Sequence, residues 1–336
     1  MNRPDADHVS RRAVRRLRPW RAPSALMLSC LLPVFAAHAG EGVKPAGPIG
    51  GTDIGQALLP PPGLYGVTFA GAVNIDGFFD DSGSRMPVGG DSYVGGVGLM
   101  YVYPRQVFGG SIATTLAIGY ERTCVAFKPA PESCSSGLFD AYSDVVFWTR
   151  FFPNADFRAQ GESDAMVTYG LAFGLGVGVT FPTGEYSAGS PINVGSNVYG
   201  IAPSIALTYN RKSIFGEALG QATEFSGRLF LNNYTDNEDT DWSSGRMLSF
   251  DFAVTQRQDQ WQYGVAGVAT YQIQDDIVQS VNIGNRAKGV ALGPIVSRNF
   301  IVDGRPYILS AKALLSVAGE NGASSQALVV RFGTRF

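Results

Sequence analysis

The chain is short of histidine, cysteine and charge. Its 336 residues include two His and three Cys, and 16% are charged, against roughly 25% in soluble domains. Both histidines, His8 and His38, fall in the first 39 residues. No run of about 18 apolar residues occurs, which weighs against helical membrane spans. A formal net charge of −2 argues against a nucleic-acid binder. The apolar and aromatic content, 45% and 12%, is too high for disorder. Glycine is the residue in excess: 42 of 336, nearly double the usual share of roughly 7%.

Seven arginines (Arg3, Arg11, Arg12, Arg15, Arg16, Arg18 and Arg21) precede an apolar run from Ala25 to Ala37. The run ends in Ala37-His38-Ala39 before Gly40. This is the pattern of a secretory signal over residues 1–39, cleaved after Ala39. Removing it leaves 297 residues with 19 Lys+Arg and 26 Asp+Glu, a net charge of −7, and no histidine. That excludes Ser-His-Asp and Cys-His catalysis in their usual form and His-ligated metal sites. No metal, cofactor or enzymatic activity is expected. Cys124 and Cys134 remain, ten residues apart. In an exported chain such a pair predicts one disulfide, here within an extracellular loop.

The rest of the sequence alternates with period 2, the signal of strands. Trp261, Tyr263, Val265, Gly267, Ala269 and Tyr271 form an apolar face with an aromatic at each end. Gln262, Gly264, Ala266, Val268, Thr270 and Gln272 form the other. The stretch has the length of a tilted transmembrane strand, and longer than an ordinary sandwich strand. Tyr169 to Phe181 sets Leu171, Phe173, Leu175, Val177 and Val179 against Gly170, Ala172, Gly174, Gly176 and Gly178. Aromatic girdles around an apolar band, with small and polar residues on the second face, describe an outer-membrane barrel. A soluble barrel puts its bulk inside.

The predicted fold is therefore all-β: a transmembrane antiparallel β-barrel of about twelve strands occupying residues 63–336, of bacterial outer-membrane type. The strands are placed near 64–79, 92–103, 108–121, 138–152, 165–182, 197–209, 213–231, 245–257, 260–276, 287–299, 305–318 and 325–336. Short connections at 104–107, 210–212 and 258–259 belong on the periplasmic side, and the long ones on the extracellular side. The last strand ends on Phe336, with Phe332 on the same face. A terminal aromatic of this kind resembles the signal by which such barrels are recognised for assembly. Pro203 inside a predicted strand removes a ladder donor and predicts a bulge or local opening.

Alternation places Asp76, Asp144, Trp148, Arg150, Asp251, Lys312, Arg331 and Arg335 on inward faces, with Glu121 and Glu217 beside them. Charges around a lumen set selectivity or seal it by pairing. Residues 40–62, with Pro60, Pro61 and Pro62, lack alternation and form an N-terminal segment, either a periplasmic tail or a plug reaching into the lumen.

Several short motifs resemble the MetA-pathway of phenol degradation family of outer-membrane, transporter-like barrels. They are Leu59-Pro60-Pro61-Pro62-Gly63-Leu64-Tyr65, Phe181-Pro182-Thr183-Gly184-Glu185-Tyr186, Asn197 with Pro203 and Thr208-Tyr209, Asn232 to Thr235, and Trp242-Ser243-Ser244-Gly245. The chain departs from the pattern by its Cys124–Cys134 loop and by having no His in its extracellular segments. The resemblance implies a channel or transporter for small, hydrophobic or aromatic compounds. The expected partners are those solutes, the outer-membrane lipid and the assembly machinery. A structural or surface-interaction barrel without transport is the alternative.

Overall fold

The computed structural model describes residues 44–127, 129–154 and 169–336. The signal expected over residues 1–39 lies outside them. Twelve long strands wind into one antiparallel sheet: β1 (Gly63–Phe79), β2 (Val88–Val102), β3 (Ser111–Phe127), β4 (Ala141–Pro153), β5 (Gly170–Phe181), β6 (Gly200–Lys212), β7 (Ala222–Tyr234), β8 (Met247–Gln258), β9 (Trp261–Gln272), β10 (Lys288–Val302), β11 (Arg305–Glu320) and β12 (Gly322–Arg335). Each pairs with its sequence neighbours, and β12 pairs with β1 from Tyr65↔Arg335 to Phe79↔Gly322. The sheet is thus closed and leaves no long edge. No described helix is long and apolar enough to cross a membrane; the strands do so.

Side chains alternate as the pleat requires. On β5, Leu171, Leu175 and Val177 face outward, while Gly170, Ala172, Gly174, Gly176 and Gly178 face in. Tyr101, Tyr103, Trp261 and Phe332 mark the girdle at the end holding the short turns, and Tyr93, Tyr120, Tyr199 and Tyr271 mark the other. By the convention of these barrels the short-turn end is periplasmic.

Three differences from the sequence reading matter. First, β7 starts at Ala222, not near 213. Residues 213–221 form a periplasmic turn with a single 3-10 turn at Glu217–Leu219, flanked by Gly216 (φ +88°) and Gly220 (φ +131°). These backbone angles are open to glycine and end any extended run. Second, the register of β4 shifts between Asp144 and Val146, and its ladder to β3 is interrupted between Ala113↔Phe147 and Ala117↔Tyr142. Side chains bridge the break: Ser143 donates to the Thr115 carbonyl at 2.6 Å, and Thr115 accepts from the Asp144 N–H at 2.9 Å. A one-residue slip sends every later side chain to the opposite face. Third, the long loops carry structure of their own. Ser133–Leu138 pairs with the upper part of β3. Trp242–Ser243, Ile277–Val278 and Val281–Asn282 make a separate three-stranded sheet.

The Cys124–Cys134 disulfide is present. It sits across a hairpin, with Cys124 on β3 directly opposite Cys134, not inside an irregular loop. At Pro203 the register does not shift, but the ladder to β7 skips from Ile201↔Asn233 to Ser204↔Phe230.

Candidate functional site

Residues 44–60 run inside the barrel and are almost continuously buried. The stretch has no partner strand, so the wall's side chains satisfy its backbone groups. Asn232 accepts the Gly47 N–H at 2.8 Å. Asp251 accepts from the N–H groups of Gly50 (2.9 Å) and Thr52 (3.1 Å) and from the Thr52 hydroxyl (2.7 Å). Glu224 accepts the Gly55 N–H at 2.7 Å, Ser226 that of Gln56 at 2.9 Å, and Thr208 that of Ala57 at 3.0 Å. The Thr180 hydroxyl donates to the Ala46 carbonyl at 2.7 Å.

Two ion-pair anchors reinforce this. Asp53 lies between Lys312 (2.7 Å) and Arg331 (2.5 Å), all three buried. Lys312 also donates to the Gly50 carbonyl, and Arg331 to that of Gly51 at 2.7 Å. Nearer the extracellular side Lys44 meets Glu121 at 2.6 Å, and Glu121 also accepts from Ser92 and Thr123. Burying such charges is tolerable only because each is paired and hydrogen-bonded.

At mid-height the wall itself fills the lumen. Arg228 makes a two-pronged contact with Asp144, Nη2–Oδ1 2.6 Å and Nη1–Oδ2 3.2 Å. Its guanidinium lies 4.3 Å from the Phe147 ring centroid and 4.6 Å from that of Phe230. Tyr142 donates to Asp144 at 2.8 Å. The glycines of β5 make room for this layer: a Cβ at Gly176 would lie 2.8 Å from Arg228 Nη2, and one at Gly178 would clash with the Tyr142 hydroxyl. Wall side chains fill the space that the small inward residues of β5 leave.

The extracellular mouth narrows too. After β5 the chain turns inward and buries Val194 against Phe69, Val94, Phe139 and Val329. Asp140 holds it, accepting the N–H groups of Gly184 and Ser196 at 2.8 Å each and the Ser196 hydroxyl at 2.5 Å. On the rim, bonds from Ser82 hold the Asp80 carboxyl below its ordinary range, and bonds from Arg286 do the same for Asp275.

Glu121, Asp144, Asp251, Lys312 and Arg331 therefore converge on the lumen and are buried. Arg335 sits at the periplasmic mouth, exposed, donating to the Pro62 carbonyl at 2.8 Å with its guanidinium 5.8 Å from the Tyr65 ring centroid. Four expected inward residues are elsewhere. Trp148 and Arg150 come after the β4 register shift and face outward. Trp148 packs edge-on to the outward Phe173 and donates to the Val107 carbonyl at 2.7 Å, while Arg150 lies over Phe152. Glu217 lies in the 213–221 turn, its side chain 86% exposed and 3.6 Å from Lys212. Asp76 occupies the register shift at the top of β1 and bonds to Arg85, Ser324 and the exposed Gln326, a rim cluster.

Sequence reasoning missed Arg228, Glu224 and Arg257, all buried. Misplacing β7 hid the first two. Read from Ala222, the alternation Glu224, Ser226, Arg228, Phe230, Asn232 is evident. Asp53 and Lys44 carry no periodic signal, because their segment has no regular structure. Among the described residues, the only trio of potential metal-ligating atoms found together is Cys124, Glu132 and Cys134. The disulfide consumes both of its sulfurs.

A family model described as "Putative MetA-pathway of phenol degradation" matches residues 48–332. Among solved structures, an outer membrane channel from Pseudomonas putida F1 aligns with a TM-score of 0.68 at 17% identity, covering 84% of this chain and 99% of that one. The β domain of the Bordetella autotransporter BrkA aligns at 0.43 and 12% identity, covering 82% and 100%. A Pseudomonas aeruginosa FadL homologue aligns at 0.36 and 9% identity, covering 93% and 99%. No curated protein sequence matches the chain.

Proposed function

Given that the chain belongs to the MetA-pathway of phenol degradation family, we propose that it is an outer-membrane channel for small, hydrophobic or aromatic solutes, closed at rest by residues 44–60. The observation that carries this is the way the segment is held. Its backbone and charges are tied to the wall by hydrogen bonds and ion pairs to side chains, which water or a solute can replace one at a time, beside apolar contacts at Ala46, Ile49, Ile54 and Ala57. Glu121, Asp251, Lys312 and Arg331 act as the selective lining once the segment moves, and Arg335 as a charge at the exit. The chain works by binding and passage and carries out no covalent chemistry.

A sealed structural barrel is the second reading. The mid-lumen layer of Tyr142, Phe147, Arg228 and Phe230 favours it. Uptake of labelled aromatic solutes by cells producing the intact chain, the chain lacking residues 44–58, or neither decides between them. Uptake that rises with the chain and rises further with the deletion supports the channel. Uptake equal in all three strains supports the sealed barrel.

A further inference from the structure

Residues 44–60 enter the lumen at one end and leave it at the other, and their partners give the direction. Lys44 pairs with Glu121, which follows Tyr120 of the extracellular girdle. Ala46 and Gly47 meet Thr180 and Asn232, near the extracellular ends of β5 and β7. Gly50 and Thr52 meet Asp251 partway down β8, and Gly55 meets Glu224 near the periplasmic start of β7. Pro62 ends beside Arg335 at the periplasmic mouth. The segment therefore descends from the outer face to the inner one, and β1 climbs back.

Its two ends are held differently. At the periplasmic end, Pro60, Pro61 and Pro62 are stiff and run directly into β1, and the Tyr65 hydroxyl donates to the Pro61 carbonyl at 2.5 Å. This end is covalently fixed to the wall. The middle is anchored by Asp53, and its side chain and those of Lys312 and Arg331 are each 8% exposed or less. The extracellular end is the weak one. Pro45 and Pro48 have no N–H to offer the wall. The Lys44 and Glu121 side chains are 17% and 11% exposed, so water reaches this ion pair. A cavity of about 40 Å³ lies beside Lys44–Pro48, lined also by Asp140, Tyr142, Thr180 and Ser196, and it has room for a water or two.

We propose that residues 44–60 are a strap hinged at its periplasmic end that peels away from its extracellular end, with the Lys44–Glu121 pair as the outermost latch. Signal cleavage after Ala39 leaves only residues 40–43 ahead of Lys44. They span at most about 14 Å, too little to lead back across a core of about 30 Å. The free end of the mature chain thus stays on the outer side, and the strap is released by what reaches it from outside the cell. Residues 44–48 fray first and the Asp53 anchor opens later, as local opening runs from a loosely held terminus toward a buried anchor. The inference rests on the reading of this segment as the channel's closure.

The test uses cells producing full-length chains with one added cysteine, Ala46→Cys or Ala57→Cys, the native cysteines being spent in the disulfide or lying in the signal. A membrane-impermeant maleimide added to intact cells reads the release of each position. Ala46→Cys should label at least about tenfold faster than Ala57→Cys, because only the outer latch must open. Adding Glu121→Gln, which keeps an acceptor for Ser92 and Thr123, should speed labelling at position 46 about fivefold, the weight of one partly exposed ion pair, and leave position 57 unchanged. Lys44→Gln, which leaves the wall intact, should do the same. Heat-modifiable gel migration confirms that each barrel folds. Equal labelling at the two positions, faster labelling at position 57, or labelling at position 46 only in permeabilised cells overturns the strap. So does a rate at position 46 that neither latch variant changes. Failure of the channel reading is a separate result: the chain lacking residues 44–58 then passes no ions or solutes, whatever the labelling pattern.

Discussion

Replacing Arg228 with Met is the most demanding test of the lumen packing. The guanidinium is 2% exposed, pairs with Asp144 through two contacts and lies between two phenyl rings. Methionine keeps most of the bulk but strands the Asp144 carboxylate. Removing one member of a buried pair costs about 3–5 kcal/mol. The lost cation–ring contacts contribute about 2 kcal/mol or less of that. Adding Asp144→Asn to the same chain removes the stranded charge and should recover more than half of the loss, because a buried pair replaced as a unit is nearly neutral. Reversible urea unfolding of the refolded barrel in detergent micelles, followed by tryptophan fluorescence, measures both. A single variant that loses less than about 1 kcal/mol, well below the range for a stranded buried charge, refutes the buried-pair account. So does a double variant no more stable than the single one.

Asp53→Asn leaves Lys312 and Arg331 without their shared carboxylate, so proteolysis of the N-terminal segment in the folded barrel should speed up while the barrel stays intact. Unchanged cleavage would mean that the hydrogen bonds to Asp251, Glu224 and Asn232 suffice. Joint replacement of Cys124 and Cys134 by Ser should destabilise the extracellular hairpin by about 2–3 kcal/mol on the chain-entropy model, and thiol labelling of the unreduced wild type should find neither sulfur. Asp140→Ala should free the inward loop after β5, read as faster hydrogen exchange over residues 183–199; protection equal to wild type contradicts the latch. Deleting Phe336, whose N–H donates to the Leu64 carbonyl at 3.0 Å, should lower the amount of assembled barrel, and unchanged membrane levels would remove it as an assembly signal.

The strands were legible because a membrane barrel enforces period 2 on every one of them. All twelve expected strands are present, and the outward faces of β5 and β9 are those the alternation indicated. What broke the reading was local loss of that period. One inserted residue at Asp144/Val146 turned Trp148 and Arg150 outward. Two glycines at positive φ ended the run in which Glu217 had been counted. The lumen contacts were legible only in half. Asp251, Lys312 and Arg331 could be placed inward, but their partners Asp53, Gly50 and Thr52 lie some 200 or more residues away in sequence, in a segment without periodicity. Pairing across such a separation leaves no trace in local pattern.

The central claim is that the lumen is a path which the N-terminal segment closes. Single-channel recording in planar bilayers tests it most directly, comparing the intact chain with one lacking residues 44–58. The intact chain should be mostly closed with brief openings. The shortened chain should give long-lived conductance steps that aromatic solutes interrupt. Two equally silent proteins, both verified as folded barrels, would contradict the claim and identify the Arg228 layer as a permanent seal.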